Sequence, residues 1–416
     1  MARHTQTTLV AVAWLAGCAA AANSTQAQDG QARSFPIVLN EQIQFGDVFA
    51  GQRLNVVVAR QQITVSDTAL GNRVSGGSVG QDLYVQNRQY QHGVVSADTA
   101  LHIEDEASGR LTVVTQARGN EASVAANHAE LALDSDQASY GSVRASVALE
   151  NDSANLTGGS RIATAAYANA LTAGGQNTRV TGSIQQSASA DTVAQTYAPA
   201  RYVPGTSHFT AEATANTAMV TSTGASSQNL AVRQTAEGWV GAEAVSSAAN
   251  AWNSSTTAVA GANRLSTLNA GGLQVVSAEQ INTGSVQGRT STYAYDYGDL
   301  RSIAEGAANT VIVGNQDIWV EIDNNQLNSG GVMVEAELSG HNGYDAYVGA
   351  NASGNTVTAY ACSECAGSVN ANSVQVNHGA VTATAVTNLS GQSRAVITGT
   401  TATGNNASFY VTRTGN

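Results

Sequence analysis

One motif recurs eight times along this chain, and only a fold with an internal period can accommodate it. Gln, three residues, Gly, one residue, Val, one residue, Ala is spelled first by Gln42, Gly46, Val48 and Ala50. It returns at Gln89, Gln137, Gln186, Gln234, Gln280, Gln326 and Gln375, at intervals of 46 to 49 residues. The fourth copy is degenerate, with Ala190, Thr192 and Ala194 after Gln186. A second mark is a small residue, then Asn, then an apolar residue two further on. It falls at Asn72, Asn120, Asn169, Asn216, Asn263, Asn309, Asn355 and Asn405. Each Asn precedes the next Gln by 17 or 18 residues, except that Asn355 to Gln375 takes 20. Two independent marks holding one phase eight times are a repeat architecture and not a compositional accident.

Inside each unit the apolar residues alternate, as in Ile318, Val320 and Ile322 or Val332, Val334, Ala336 and Leu338. A period of two is a strand. Only three prolines interrupt, at 36, 199 and 204, which suits continuous ladders. The expected fold is an all-β parallel solenoid, or β-helix, spanning 28–416 as one domain. In such a stack equivalent residues lie about 4.8 Å apart, so the Gln and Asn columns become amide ladders. The glycines beside them are expected at corners with positive φ. The Asn-to-Gly and Gly-to-Asn spacings are similar, at about 21 and 26 residues. That suggests two coils per unit, about sixteen in all, and a rod on the order of 75 Å long.

Composition narrows the function. Lysine is absent, all 18 basic residues are Arg, and the net charge is -12. Such a chain has no basic stripe for nucleic acid and no attraction to anionic membrane surfaces. Residues 1–27 read as a signal segment. The apolar run from Thr7 to Ala16 is too short to span a bilayer. Two processing sites compete. Leu15 to Cys18 resembles a lipobox, which would lipidate Cys18, whereas Thr25-Gln26-Ala27 suits ordinary signal peptidase. The protein is therefore expected to be exported.

Candidate chemistry is sparse. Cys362 and Cys365 fall in the one lengthened Asn-to-Gln segment, and in an exported chain a short-loop disulfide is the natural reading. Tyr293, Tyr295 and Tyr297 alternate and so share a strand face, with Asp296 opposite. Together with Trp319 they form a possible carbohydrate contact. The segment Tyr197 to Gly205, with two of the prolines, reads as a loop interrupting the strand pattern. The acidic residues, such as Asp323 and Asp345, are scattered, and no HExxH, GxSxG or P-loop occurs. No cofactor, metal site or enzyme activity is expected.

The phased Gln-x3-Gly-x-Val and Gly/Ala-Asn repeats, the Lys-free Ala/Asn/Thr/Val texture, the Leu15–Cys18 run and the terminal Gly404 to Val411 stretch carry a resemblance. They resemble the holdfast-anchoring HfaD family of exported surface proteins in stalked alphaproteobacteria. The resemblance implies an anchor or adhesin at the outer membrane or cell surface. It would tether an extracellular polysaccharide, the holdfast, with other envelope anchor proteins as partners. The repeat is also similar to curlin subunits, which gives a competing reading as a self-assembling fibre subunit joined end to end. A polysaccharide-acting β-helix enzyme is the third reading.

Overall fold

The computed structural model describes residues 36–362 and 367–411. They form a parallel β-solenoid with no helix among them. An eight-stranded sheet runs through Ile37–Gln44, Leu83–Gln91, Glu130–Ser139, Arg179–Ala188, Ser227–Ala236, Leu273–Asn282, Trp319–Asn328 and Ser368–Asn377. Each of these first strands is followed by a second, such as Val95–Ala107 or Val143–Leu149. The chain then returns along a third segment that carries the Asn column, such as Arg110–Asn127 or Ser160–Gln176. In coils four to seven second and third segments merge into continuous strands, Thr192–Thr223, Val240–Asn269, Val286–Asn315 and Val332–Ala361, and in the last coil they separate again into Val381–Leu389 and Ala395–Val411.

The register corrects the coil count. Gln42 pairs with Gln89, Gln89 with Gln137, and Gln326 with Gln375. Residues one whole repeat apart are therefore neighbours, and each repeat is a single coil, not two. The two similar halves of a repeat are the outgoing and returning sides of one flattened coil. Eight strands in the first sheet make seven steps, a rise of roughly 34 Å. The described residues form a short stack of wide coils rather than a long rod of narrow ones.

Two apolar cores run the length of the stack. One packs second strands against the first half of the returning segments, through Leu101, Ile103, Leu111, Val113 and Ile162. The other packs first strands against the last part of the returning segments, through Leu83, Val85, Val124, Leu131 and Ile184. The Gln and Asn columns sit where each side passes from one core to the other, and they are almost wholly buried in the inner coils.

The motif glycines follow a different logic from the one expected. None has a positive φ. A Cβ on Gly93 would lie 2.2 Å from the Gly46 carbonyl oxygen, and one on Gly284 would lie 2.0 Å from that of Gly238. Glycine is needed for coil-on-coil approach, not for a left-handed corner.

The Tyr197 to Gly205 segment is likewise strand and not loop, inside Thr192–Thr223. Its pairing with the following coil includes Pro199 opposite Ser247. Pairing with the preceding coil stops at Tyr197, so the missing Pro199 N–H falls where the ladder is interrupted. The register also places the lengthened segment. Six residues join Ala361 to Ser368, where three join Asn315 to Trp319 in the coil before. Cys362 is buried there. Cys365, like Cys18 and the whole of 1–27, lies outside the described residues.

Candidate functional site: an aromatic corner groove

Each second segment turns into the returning segment at a corner, and in coils four to eight this corner is cut by a groove of about 670 Å³. Its exposed rings are Tyr202, Trp252 and Tyr344. A polar row runs through it, with Tyr202, Asn250, Asp296 and Asn342 in one column of the ladder. That column presents side-chain amides and a carboxylate at the strand repeat of about 4.8 Å.

Register explains how the rings come together. Trp252, Gly298 and Tyr344 occupy successive coils of one column. Because the middle residue has no side chain, the indole and phenol meet across it, edge to face, with centroids 5.6 Å apart. A Cβ on Gly298 would lie 2.3 Å from the Trp252 carbonyl oxygen and 3.0 Å from its ring. In the last coil the Arg394 guanidinium lies 5.5 Å from the Tyr344 ring centroid. It also forms a two-pronged ion pair with Asp345. That hydrogen-bonded guanidinium holds the Asp345 carboxyl below the usual carboxylate range. Beside the groove Tyr295 stacks on His341 at 4.7 Å, and His341 Nδ1 bonds Ser390 Oγ at 2.8 Å.

The tyrosines singled out by alternation are split by the corner. Tyr293 and Tyr295 are exposed, but Tyr297 is 3% exposed. Tyr295 and Asp296 both face outward, which resets the alternation and sends Tyr297 into the core. Its ring lies under coil seven, where a Cβ on Gly343 would meet it at 2.2 Å. Its hydroxyl reaches Ser393 Oγ at 2.7 Å. Trp319 opens a first strand, on a separate part of the coil from the corner, so the structure does not bring it to the groove. Trp252, Tyr344 and Arg394 were not among the residues the sequence reading marked, and Tyr202 was marked only as part of the Tyr197 to Gly205 segment read as a loop. A signal existed: Trp252, Gly298 and Tyr344 each stand 11 residues before their ladder Asn.

Flat apolar ring faces beside a row of amide and carboxylate groups suit a polyhydroxylated ligand, whose C–H faces stack and whose hydroxyls hydrogen-bond. A hydrolytic role would need two carboxyl groups set across one bond. Near the groove Asp345 is committed to Arg394 and Asp299 to Arg301. Asp296 is the one acid among the lining residues.

No curated protein and no solved structure matches the chain. A family model described as HfaD, holdfast attachment protein D, matches residues 57–331. That match covers more than half of the chain, which therefore belongs to the holdfast attachment protein D family.

Proposed function

We propose that this chain is a non-catalytic surface anchor that holds the holdfast polysaccharide through its corner groove. Family membership supplies the attachment role. The observation that carries the finer reading is the groove itself, with Trp252 and Tyr344 flanking Gly298 beside the Asn250, Asp296 and Asn342 row. Export through the 1–27 segment, an outer-membrane or cell-surface position and other envelope anchor proteins as partners belong to the same reading.

The test pairs purified protein with isolated holdfast polysaccharide and with attached cells. A Trp252→Ala/Tyr344→Ala variant is expected to lose roughly tenfold or more in polysaccharide binding, since stacked rings dominate such contacts. Cells carrying it should shed holdfast from surfaces. Trp319→Ala, which lies outside the groove, should bind and attach normally. Equal polysaccharide binding by the double variant and the parent would overturn the groove as the contact surface.

A further inference from the structure

The two amide ladders have opposite directions, and this leaves the two ends of the stack complementary. Every ladder Asn donates from Nδ2 to Oδ1 of the next coil's Asn, from Asn72 to Asn120 through to Asn355 to Asn405, at 2.8 to 2.9 Å. Every ladder Gln donates the other way, to the preceding coil, from Gln89 to Gln42 through to Gln375 to Gln326, at 2.7 to 2.8 Å. The amide orientations are fixed because each donating NH2 also reaches a backbone carbonyl across the waist, as Asn120 reaches Ala138 and Gln137 reaches Ala170.

At the first coil, among the described residues, Asn72 Oδ1 therefore accepts nothing and Gln42 Nε2 has a hydrogen to spare. At the last described coil, and again among the described residues, Gln375 Oε1 accepts nothing and Asn405 Nδ2 has no ladder Asn to donate to. Each end offers what the other needs.

Three further features agree. Both terminal coils place 30 residues between ladder Gln and ladder Asn, from 42 to 72 and from 375 to 405, so both columns can stay in register across a junction. Both ends cut through the apolar core: Val48 and Val381 are half-exposed, where their neighbours Val95 and Val332 are buried. The position three residues after each ladder Gln carries Phe45, His92 and Tyr140, stacked at 5.1 and 4.8 Å, then Ser189, Glu237, Thr283 and Ser329, and a ring again at exposed His378. That imidazole would meet the Phe45 of a following copy.

Open sheet edges are normally defended by charge or proline. The last coil, residues 368–411, contains no proline, no acidic residue and a single Arg, Arg394.

From these observations we propose that copies of this chain join head to tail, the last coil of one pairing in parallel with the first coil of the next. The contact is heterologous and does not close, so it generates filaments. The two amide ladders and the core then continue from copy to copy.

Charge placed in one outward column tests the junction. Glu41, Arg88, Asp136, Gln185, Arg233, Glu279, Asn325 and Val374 stack in register, and Arg233 pairs with Glu279 at 3.6 Å. In a junction Val374 faces Glu41 of the next copy. Sedimentation of the mature full-length chain over a concentration series should show open-ended association. Val374→Glu should weaken it roughly tenfold or more through like charges directly opposite. Val374→Arg, which reproduces the Arg233–Glu279 geometry, should retain or strengthen it. Adding Glu41→Arg to Val374→Glu should restore it. Circular dichroism of each variant separates loss of assembly from loss of fold. A chain that stays monomeric throughout, or associates equally in the Val374→Glu and Val374→Arg forms, overturns the proposal.

Discussion

At the scale of single residues the stack is held at its waist by buried amides. Asn263 donates to the Ile281 carbonyl and to Asn309 Oδ1, and accepts from Asn216. Removing its side chain would strand one buried donor and two buried acceptors. Each unsatisfied group costs about 1–3 kcal/mol, so Asn263→Ala should destabilise the protein by roughly 3 kcal/mol or more. Asn405, in the last described coil, is exposed; it accepts from Asn355 and its own amide makes only a long 3.4 Å bond to the Gln375 carbonyl. Asn405→Ala should cost about 1 kcal/mol or less at concentrations where the chain is monomeric. Denaturant unfolding of both variants checks this, and equal losses would count against the ladder as the stabilising element. The ladder residues were legible in the sequence because a stacked amide needs the same residue in every coil. The role of the motif glycines was not, because spacing alone cannot separate a positive φ from a close approach between coils.

The strand and its corner set the next scale. Alternation assigned the strands correctly wherever the chain ran straight. It failed at the corner after Tyr295, where two consecutive residues face outward and Tyr297 turns inward. It also failed at Pro199, which the sequence marks as a break and which the fold absorbs at an interrupted ladder edge. Both failures share a cause, since period-two reasoning knows nothing of the neighbouring coil. The groove depends on the same corner through Gly298. A Gly298→Ala substitution drives a methyl to 2.3 Å from the Trp252 backbone. It should cost on the order of 1–3 kcal/mol by overpacking and shift the tryptophan emission. Gly261→Ala is the control, because its nearest neighbours would lie at an ordinary 3.7 Å and the change should be close to neutral. A groove variant that unfolds like the parent would show that Trp252 is not locked over the glycine.

For the whole molecule the decisive quantity is the rise per repeat. Spin labels at Arg88 and Asn325, exposed residues of one column, are separated by five coil steps. Pulsed dipolar spectroscopy on labelled chains diluted with unlabelled protein should give roughly 24 Å. Two coils per repeat would give about 48 Å.

The sequence by itself determined that this chain is a parallel β-stack of eight units with phased Gln and Asn columns. Those properties are periodic, and periodicity survives in one dimension. It also carried the family resemblance, through the same phased repeats. Only the tertiary structure decided that one repeat is one coil, because that depends on which residues pair and not on how they are spaced. The same register brings Trp252 to Tyr344 from two coils away, a juxtaposition that spans 92 residues of chain. It also sets the opposed directions of the ladders, since a side-chain amide chooses its donor direction only when a backbone carbonyl across the waist claims its other hydrogen.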